Sequence, residues 1–311
     1  MQVGFLPFIP NPVTEHATVY TAMLNFLKIA KQLKQEALPI FCDEGVFRIV
    51  LDIYLQREQQ FKTLLPMLGS FHTAKCVQHC IGKYIQGSGI EDSLTQTKVL
   101  GVKVLKSVID GTNYARALKV ILILSNAITR LKWQAFLTTK DAVQVNEYAV
   151  LLSDLQQALS AKDPDRSKRA YRDCMTSVLM LKKDFAEFSQ TCAEKSEMCR
   201  YWDGLIKLSR TLTSLIAADR DGNWALHLLS IQELLPVFCV SGSINYQQYG
   251  SWYLEKMRKL PDEYPEIYKN FLDGKFVVKT GHGHFNAVAP DMKLEQTIQR
   301  SKKEQAVSLA K

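Results

Sequence analysis

Acidic residues at two widely separated positions could hold divalent cations and so support phosphoryl-transfer chemistry. Asp43 directly follows the apolar segment Leu38–Cys42 and precedes Gly45, and Glu295 lies in the final helical segment of the chain. Several carboxylates that converge on two cations can activate an attacking oxygen and stabilise a leaving one. Asp43 and Glu295 are therefore candidate catalytic residues and candidate ligands for Mg²⁺ or Mn²⁺.

Each of these acids also has a purely structural interpretation. Asp43 stands where a helix that begins near Val46 needs an N-cap, a position at which aspartate is common. Asp291 lies four residues before Glu295, so the two carboxylates share a helical face and Asp291 is a further candidate metal ligand. Alternatively, Asp291 favours the positive end of the helix dipole and Glu295 is solvated. The sequence leaves both interpretations open.

A histidine follows the second strand-like segment, at the same kind of position as Asp43. His72 ends the turn Gly69–His72, which leads from the apolar segment Leu64–Leu68 into a helix. An imidazole at this place could contact a phosphate or the attacking water, so His72 is a candidate catalytic residue in an accessory role. The alternative is a hydrogen-bonded histidine in the first turn of a helix.

Histidine and cysteine side chains also recur along the helix that His72 opens. Histidine and thiolate are zinc ligands, which makes a structural zinc site a third hypothesis. The spacing is not one of the usual zinc frameworks, and small buried cysteines are the competing interpretation. The residues concerned are Cys42, His72, Cys76, His79 and Cys80.

The elements that must position these side chains are short buried strands that alternate with helices near the start of the chain. Ile40–Cys42 and Leu64–Leu68 are each followed by an amphipathic segment. This alternation predicts parallel strands in an α/β sheet, and functional groups gather at the carboxyl ends of such strands. We therefore expect Asp43 and His72 to lie at one edge of a sheet.

The middle of the chain is predicted to be entirely helical. It is followed by a strand candidate at Phe276–Val278 and by a last helix that starts near Pro290. The resulting domain prediction is an α/β segment over 1–90, a helical insertion over 91–275 and a returning strand and helix over 276–311. Within the insertion, helices are predicted at Thr95–Val108, Ala115–Ala135, Ala142–Ala161, Ser167–Thr191, Glu197–Asp219, Trp224–Phe238 and Tyr246–Leu260.

Composition is that of a globular protein that could bind a polyanion. The 311 residues include 47% hydrophobic and 23% charged residues, and the net charge is +8. That charge allows nucleic acid as a partner, whereas a mildly basic surface is the alternative.

The strongest aliphatic run, Val120–Leu124, is too short to span a bilayer, so no membrane partner is expected. Seven cysteines favour reduced thiols and an intracellular location, nuclear or cytoplasmic.

Aromatic and basic side chains of the insertion have two interpretations. Aromatic residues near lysine and arginine can stack on single-stranded bases, but at helical spacing they more often form a core. The basic residues are candidate phosphate contacts or members of a solvated face. The aromatic residues include Trp133, Trp202, Trp224 and Trp252, and the basic ones are Lys168, Arg169, Arg172, Lys182, Lys183, Lys302 and Lys303.

The order of strand, acid, helix, strand, helix, long helical insertion and acidic helix resembles the second half of a ribonuclease H-like transposase core of the DDE/D type. The hAT superfamily carries a helical insertion at that place. On this resemblance Asp43 matches the second acid and Glu295 the third, while the first would lie upstream of Met1. From the apolar, strand-like start at Val3–Pro10 we expect that upstream strands of the sheet are missing from this chain.

A second resemblance covers nearly the whole chain and implies no activity. The segments Cys42–Gly45, Leu68–Lys75 and Phe285–Glu295 are similar to those of uncharacterised, transposon-associated proteins of invertebrates and fish. Together, the resemblances imply a mostly helical α/β fold with a partial ribonuclease H-like core. They imply a transposase-derived DNA-binding protein with ancestral Mg²⁺-dependent strand cleavage and transfer, incomplete or inactive as this chain. The rival hypothesis is a non-enzymatic helical protein-interaction module.

Overall fold

The computed structural model describes residues 9–160 and 164–309, with side chains through residue 301 except at positions 164 and 166. Of the residues that the structure describes, 76% are helical, which confirms the prediction of a mostly helical fold. Most of the predicted opening strand, Val3–Pro10, lies outside the described residues, as do the side chains of Lys302 and Lys303.

Four strands and fifteen helices cover the described residues. The strands are β1 (Leu38–Cys42), β2 (Leu64–Leu68), β3 (Val278–Lys279) and β4 (Ala287–Val288). The helices are α1 (His16–Gln32), α2 (Glu44–Gln56), α3 (Glu58–Phe61), α4 (Ser70–Ile85), α5 (Ile90–Gln96), α6 (Val102–Ile109), α7 (Tyr114–Leu137), α8 (Ala142–Ser160), α9 (Pro164–Lys195), α10 (Glu197–Asp221), α11 (Trp224–Val240), α12 (Ile244–Arg258), α13 (Leu260–Glu263), α14 (Pro265–Leu272) and α15 (Pro290–Leu309).

The strands β1 and β2 are parallel, as the alternation of strands and helices predicts. Their register runs from Leu38 opposite Leu64 to Cys42 opposite Leu68. All five residues of β2 are buried, and α2 and α12 pack against this strand. A parallel strand needs cover on both faces, which explains why β2 is apolar throughout instead of alternating. The sheet thus fixes both strand ends at a common edge.

An apolar core surrounds β1 and the helices on either side of it in sequence. The face of α1 that carries Val19 and Met23 packs with Phe61, which is fully buried. Burial of each such side chain contributes about 1.5–3 kcal/mol relative to exposure. The remaining buried members are Ile40, Ile49, Val50, Ile53, Tyr54 and Leu64.

The chain divides into two compact units. One comprises residues 1–117 and 210–311, and the other comprises residues 118–209. The second unit is shorter than the predicted insertion, which spans 91–275. Within the first unit, α11 packs against α4 and α12 packs against β2. These two helices of the predicted insertion are therefore part of the packing around the β1–β2 pair.

Two local predictions differ from the structure. The single helix predicted at Thr95–Val108 is two helices, α5 and α6, because Lys98 takes a left-handed conformation with φ of 59° and Gly101 is extended. The late strand is β3, which starts at Val278 and pairs in antiparallel fashion with β4. Phe276 and Val277 are buried just before it and do not belong to the strand.

Candidate functional site

The carboxyl ends of β1 and β2 bring the starts of two helices together. The backbone N–H of Gly69, just after β2, donates a hydrogen bond of 2.8 Å to the carbonyl oxygen of Cys42 at the end of β1. Helix α2 begins at Glu44 and α4 begins at Ser70. The unpaired N–H groups at the two helix starts attract anionic groups, so this edge favours carboxylates.

Asp43 is the N-cap of α2. Its exposed carboxylate accepts a hydrogen bond of 2.9 Å from the backbone N–H of Val46. This is the structural role that the sequence left open beside metal binding. Asp43 therefore has at least one function in the fold, and its metal-ligand role stays a prediction.

Asp291 stabilises the start of a helix far from its own position in sequence. From the first turn of α15 its carboxylate accepts hydrogen bonds from the backbone N–H groups of Phe71, at 3.3 Å, and of His72, at 3.1 Å. One of its oxygens also lies 3.0 Å from Nδ1 of His72. The Asp291 side chain is only 6% exposed. Asp291 thus acts as a cap for α4 and orients the His72 ring.

Glycine at position 69 makes this arrangement possible. A Cβ atom at Gly69 would lie 2.4 Å from Oδ2 of Asp291 and 2.9 Å from the carbonyl oxygen of Cys42. Gly69 is the residue before α4, and it has no side chain with which to cap the helix. The carboxylate of Asp291 takes that place. The strand-to-helix turn was predicted, but the acid that fills it was not.

A second acid and a second histidine lie buried near this edge. Oδ1 of Asp219, in α10, is 3.4 Å from Nδ1 of His227, in α11. That separation is long for a hydrogen bond, and neither atom has another partner among the described residues. Nε2 of His227 lies 3.1 Å from the hydroxyl of Tyr253, and the Trp224 ring stacks on the imidazole at 5.2 Å.

Electrostatic interactions connect the two acid–histidine pairs. Burial raises the pKa of Asp219 above its usual value of 3.8, and the negative charge of Asp291 raises it further. The contact with His227 and a hydrogen bond from Ser70 oppose this rise. Burial also raises the pKa of Tyr114 to about 12, and both acids add to that shift. We call the group Ser70, His72, Asp219, His227 and Asp291 the carboxyl-end cluster.

The carboxyl-end cluster can hold and move protons. His72 is the member that reaches solvent, because 23% of its side chain is exposed. A carboxylate at Nδ1 favours the tautomer with the proton on that nitrogen and leaves Nε2 as a proton acceptor. His72 can therefore act as a base toward a group bound at the strand ends. The cluster includes His72 and Asp291, which the sequence predicted, and Ser70, Asp219 and His227, which it did not.

Glu295 lies one turn after Asp291 in α15 and is half-buried. Among the described residues, no three His, Cys, Asp or Glu side chains form a group that could hold a metal ion. Asp291 already accepts two backbone hydrogen bonds and contacts His72, while one oxygen of Asp43 accepts the bond from Val46. The acids as arranged do not fit a two-metal centre, and Mg²⁺ or Mn²⁺ binding stays a prediction.

The cysteines and histidine of the zinc hypothesis engage different partners. His72 contacts Asp291, and Cys42 Sγ lies 3.8 Å from the carbonyl oxygen of Ile40. Burial raises the pKa of the Cys42 thiol to about 12, with Asp43 adding to the shift. Cys76 and Cys80 lie together on α4, beside the turn between α11 and α12. All seven cysteines are free thiols.

Aromatic side chains form packed clusters in each unit. In the second unit, the rings of Trp133 and Phe185 lie 5.2 Å apart, and both contact Phe136. In the first unit, Trp224 and Phe276 lie 5.0 Å apart. Phe136 and Trp224 are buried. These contacts favour the core interpretation over base stacking for Trp133 and Trp224.

Comparison with known proteins gives one match. The family described as "Domain of unknown function (DUF8702)" matches residues 1–308. The chain matches no curated protein and no solved structure. The description of the family names no activity, so the evidence for a function lies in the residues themselves.

Among the residues that the structure describes, none of the helices has the length and apolar character needed to cross a membrane.

Proposed function

We propose that this chain, which belongs to the DUF8702 family, is a transposase-derived DNA-binding protein. The observation that carries the proposal is the return of α15 to the strand ends, where Asp291 reaches the start of α4 across 219 residues of sequence. A ribonuclease H-like core with a helical insertion needs such a returning acidic helix. The parallel β1–β2 pair and the acid that follows β1 agree with the same layout.

The proposed activity is binding without strand cleavage. Asp43 and Asp291 are engaged as helix caps, and the described acids form no group of three metal ligands. No catalytic step through a cation follows from this arrangement. If Asp43 and Glu295 nevertheless share a cation, calorimetry with Mg²⁺ or Mn²⁺ should detect binding that both Asp43→Ala and Glu295→Ala abolish.

Exposed basic residues near the start of α9 are the proposed DNA contacts. Lys168, Arg169 and Arg172 lie within about one turn of this helix, and all three side chains are exposed. Lys182 and Lys183 are exposed two to three turns farther along the same helix. Lysine and arginine that neutralise backbone phosphates release counterions, which makes the affinity for DNA depend on salt.

The test measures the affinity of the full chain for duplex DNA by fluorescence anisotropy over a range of salt concentrations. A variant with Lys168→Glu, Arg169→Glu and Arg172→Glu should bind at least tenfold more weakly. Its plot of log affinity against log salt should have a slope smaller by about 3, because each lost phosphate contact removes about one unit.

The matched control carries Lys28→Glu, Lys31→Glu and Lys62→Glu, which are exposed in the other unit. Both variants change the net charge equally, so only a local contact distinguishes them. Equal loss of affinity in the two variants would reduce the proposal to a general charge effect. Affinity that does not respond to salt would overturn it.

A second candidate function is a helical protein-interaction module. The observation that favours it is the exposure of large apolar side chains on the helices of the second unit, including Val143 at 68%, Leu159 at 67% and Met180 at 66%. Contiguous exposed apolar surface marks interaction sites, so this candidate requires these side chains to form one patch. This candidate predicts little salt-dependent affinity for DNA, so the same titration separates the two functions.

A further inference from the structure

Two thiols and two hydroxyls meet where α4 passes the turn between α11 and α12. Sγ of Cys80 lies 3.1 Å from Oγ of Ser241 and 3.6 Å from Oγ of Ser243. Sγ of Cys76 lies 3.7 Å from the same Ser243 oxygen, and the two serine oxygens are 3.1 Å apart. Both sulfurs thus lie within 3.7 Å of the Ser243 oxygen. We call Cys76, Cys80, Ser241 and Ser243 the thiol–serine cluster.

The surroundings of Cys80 stabilise a thiolate. Ser243 is the N-cap of α12, but its hydroxyl does not cap that helix and faces the two thiols instead. The positive end of a helix and hydroxyl donors both favour an anionic sulfur. Interaction with Cys76, Ser241, Ser243 and His79 lowers the pKa of Cys80 below its usual value, against the opposing effect of burial.

Cys76 has the complementary property. Its interaction with Cys80 and its burial raise the pKa of its thiol, and the charge of Glu44 adds to this shift. Within the pair the negative charge is therefore favoured on Cys80, while the Cys76 thiol keeps its proton and donates a hydrogen bond to Oγ of Ser243. Neighbouring sulfurs of this kind are the arrangement in which a second cysteine resolves an oxidised first one.

We propose that Cys76 and Cys80 form a redox-sensitive pair that hydrogen peroxide oxidises to a disulfide within α4. The Cys80 thiolate attacks one peroxide oxygen, the O–O bond breaks, and hydroxide leaves and takes up a proton to form water. Cys80 then carries a sulfenic acid. The sulfur of Cys76 attacks the Cys80 sulfur, the S–O bond breaks, and a second water leaves with the thiol proton. One peroxide is reduced by two electrons while two thiols become one disulfide.

The fold restricts which oxidant reaches the pair. Cys80 is only 3% exposed, whereas Cys76 is half-buried. A molecule of the size of water can reach a site of this kind more readily than a bulky reagent. Cys239 is exposed but lies outside the cluster, and burial raises the pKa of Cys42. Cys239 therefore serves as the internal reference for an exposed thiol, and Cys42 serves as the reference for a buried one.

Closing the disulfide must also change the helix. Side chains four residues apart on a helix have Cβ atoms about 5–6 Å apart, whereas a disulfide needs about 3.5–4.5 Å. The middle turn of α4 therefore tightens, and the sulfurs leave the Ser241 and Ser243 hydroxyls. The pair thereby couples the redox state to the contact between α4 and the α11–α12 turn.

The test exposes the full chain to hydrogen peroxide, blocks the remaining thiols with N-ethylmaleimide and maps the peptides by mass spectrometry without reduction. The expected product is a disulfide between Cys76 and Cys80 that forms at least tenfold faster than oxidation at Cys239. A reducing agent should restore both thiols. Oxidation of Cys239 before the pair, or a disulfide that joins Cys80 to any other cysteine, would overturn the proposal.

Two variants test the assigned roles. Cys76→Ser removes the resolving thiol, so the sulfenic acid at Cys80 should persist and react with dimedone that is added together with denaturant, which exposes the buried sulfur. The double variant Ser241→Ala, Ser243→Ala should slow disulfide formation about tenfold, because it removes the two hydroxyls that lie 3.1 and 3.6 Å from the Cys80 sulfur. Circular dichroism checks that each variant is folded. An unchanged rate in the double variant would show that the hydroxyls do not activate Cys80, and absence of dimedone labelling in Cys76→Ser would exclude Cys80 as the attacking sulfur.

Discussion

Single carboxylates determine how the strand ends are built. Asp43 caps the helix that it precedes, whereas Asp291 caps the distant helix α4, where it accepts a hydrogen bond from Phe71, 220 residues earlier in the chain. Loss of a capping side chain typically costs about 0.5–2 kcal/mol, so each acid has a reason to be present that is independent of catalysis. The resemblance to a transposase core assigns metal binding to Asp43 and to Glu295, which lies one turn after Asp291.

Asp219 should make stability depend on pH. Burial raises its pKa in the folded state above 3.8, so the folded protein holds this proton more tightly than the unfolded chain does. The stabilisation is complete below about pH 4 and is lost as the pH rises through the folded-state pKa. Asp219→Asn cannot lose a proton, so the stability of the wild type should fall relative to this variant as the pH rises.

Denaturant unfolding of both proteins from pH 4 to pH 7 measures this difference. The exposed Asp154 provides the control Asp154→Asn, which removes the same charge from the surface. A change that both variants share comes from the net charge and not from burial. If the difference between wild type and Asp219→Asn stays constant over this range, the carboxyl of Asp219 titrates alike in the folded and unfolded states.

The capping role of a residue within its own segment was easier to predict from the sequence than contacts between residues far apart in the chain. Asp43 could be recognised as a cap because the signal, an acid between a strand and a helix, lies within four residues. The partners of Asp291 lie 219 and 220 residues away, so no local pattern indicated them. Asp219 and His227 each lie in a helical segment whose apolar pattern is typical of a protein core. The feature that could have indicated a site is the presence of a titratable residue on the apolar face of each helix.

At the scale of elements, the approach of α15 to α4 depends on the absence of a side chain at Gly69. Gly69→Ala should destabilise the protein, because the added Cβ meets Asp291 at 2.4 Å and a backbone oxygen at 2.9 Å. Gly101→Ala is a matched control, since Gly101 is also an extended N-cap glycine and its added Cβ meets nothing within 4 Å. Both substitutions replace an N-cap glycine by alanine, so that part of the change in the free energy of unfolding is common to the two variants.

We expect Gly69→Ala to lower the free energy of unfolding by roughly 1–3 kcal/mol more than Gly101→Ala does. Urea unfolding monitored by circular dichroism gives both values under the same conditions. Equal losses in the two variants would mean that α15 moves away from the added methyl group at no cost.

The bounds of helices followed from sequence where polar or glycine residues interrupt an apolar pattern. The predicted Ala115–Ala135 and Ala142–Ala161 correspond closely to α7 and α8. The break between α5 and α6 was missed because the left-handed conformation of Lys98 is not indicated by its residue type, although Gly101 marks the start of α6. Which helices pack on β2 depends on contacts over long sequence distances, and periodicity does not encode them.

At the scale of the whole molecule, each compact unit contains its own apolar core. Phe61 is fully buried in the unit of residues 1–117 and 210–311, and Phe136 is fully buried in the unit of residues 118–209. Truncation of a buried phenylalanine to alanine costs about 3–5 kcal/mol. We expect calorimetry to resolve two unfolding transitions, of which Phe61→Ala lowers one midpoint and Phe136→Ala lowers the other.

Surface substitutions serve as references for these two variants. Leu55→Ala and Leu131→Ala remove apolar side chains that are 56% and 65% exposed, one in each unit, and should shift neither midpoint appreciably. One common transition that both phenylalanine variants lower would show that the two cores unfold together.

The distance along the chain between His72 and Asp291 has a consequence for synthesis on the ribosome. Asp291 is made 219 residues after His72. At about 5–20 residues per second, the start of α4 waits roughly 10–45 seconds for the carboxylate that caps it. Helices α11 and α12, which cover α4 and β2, also emerge late. The nascent chain therefore carries an apolar strand that lacks one of its two covering helices for most of its translation, and chaperones that bind such segments have that interval in which to act.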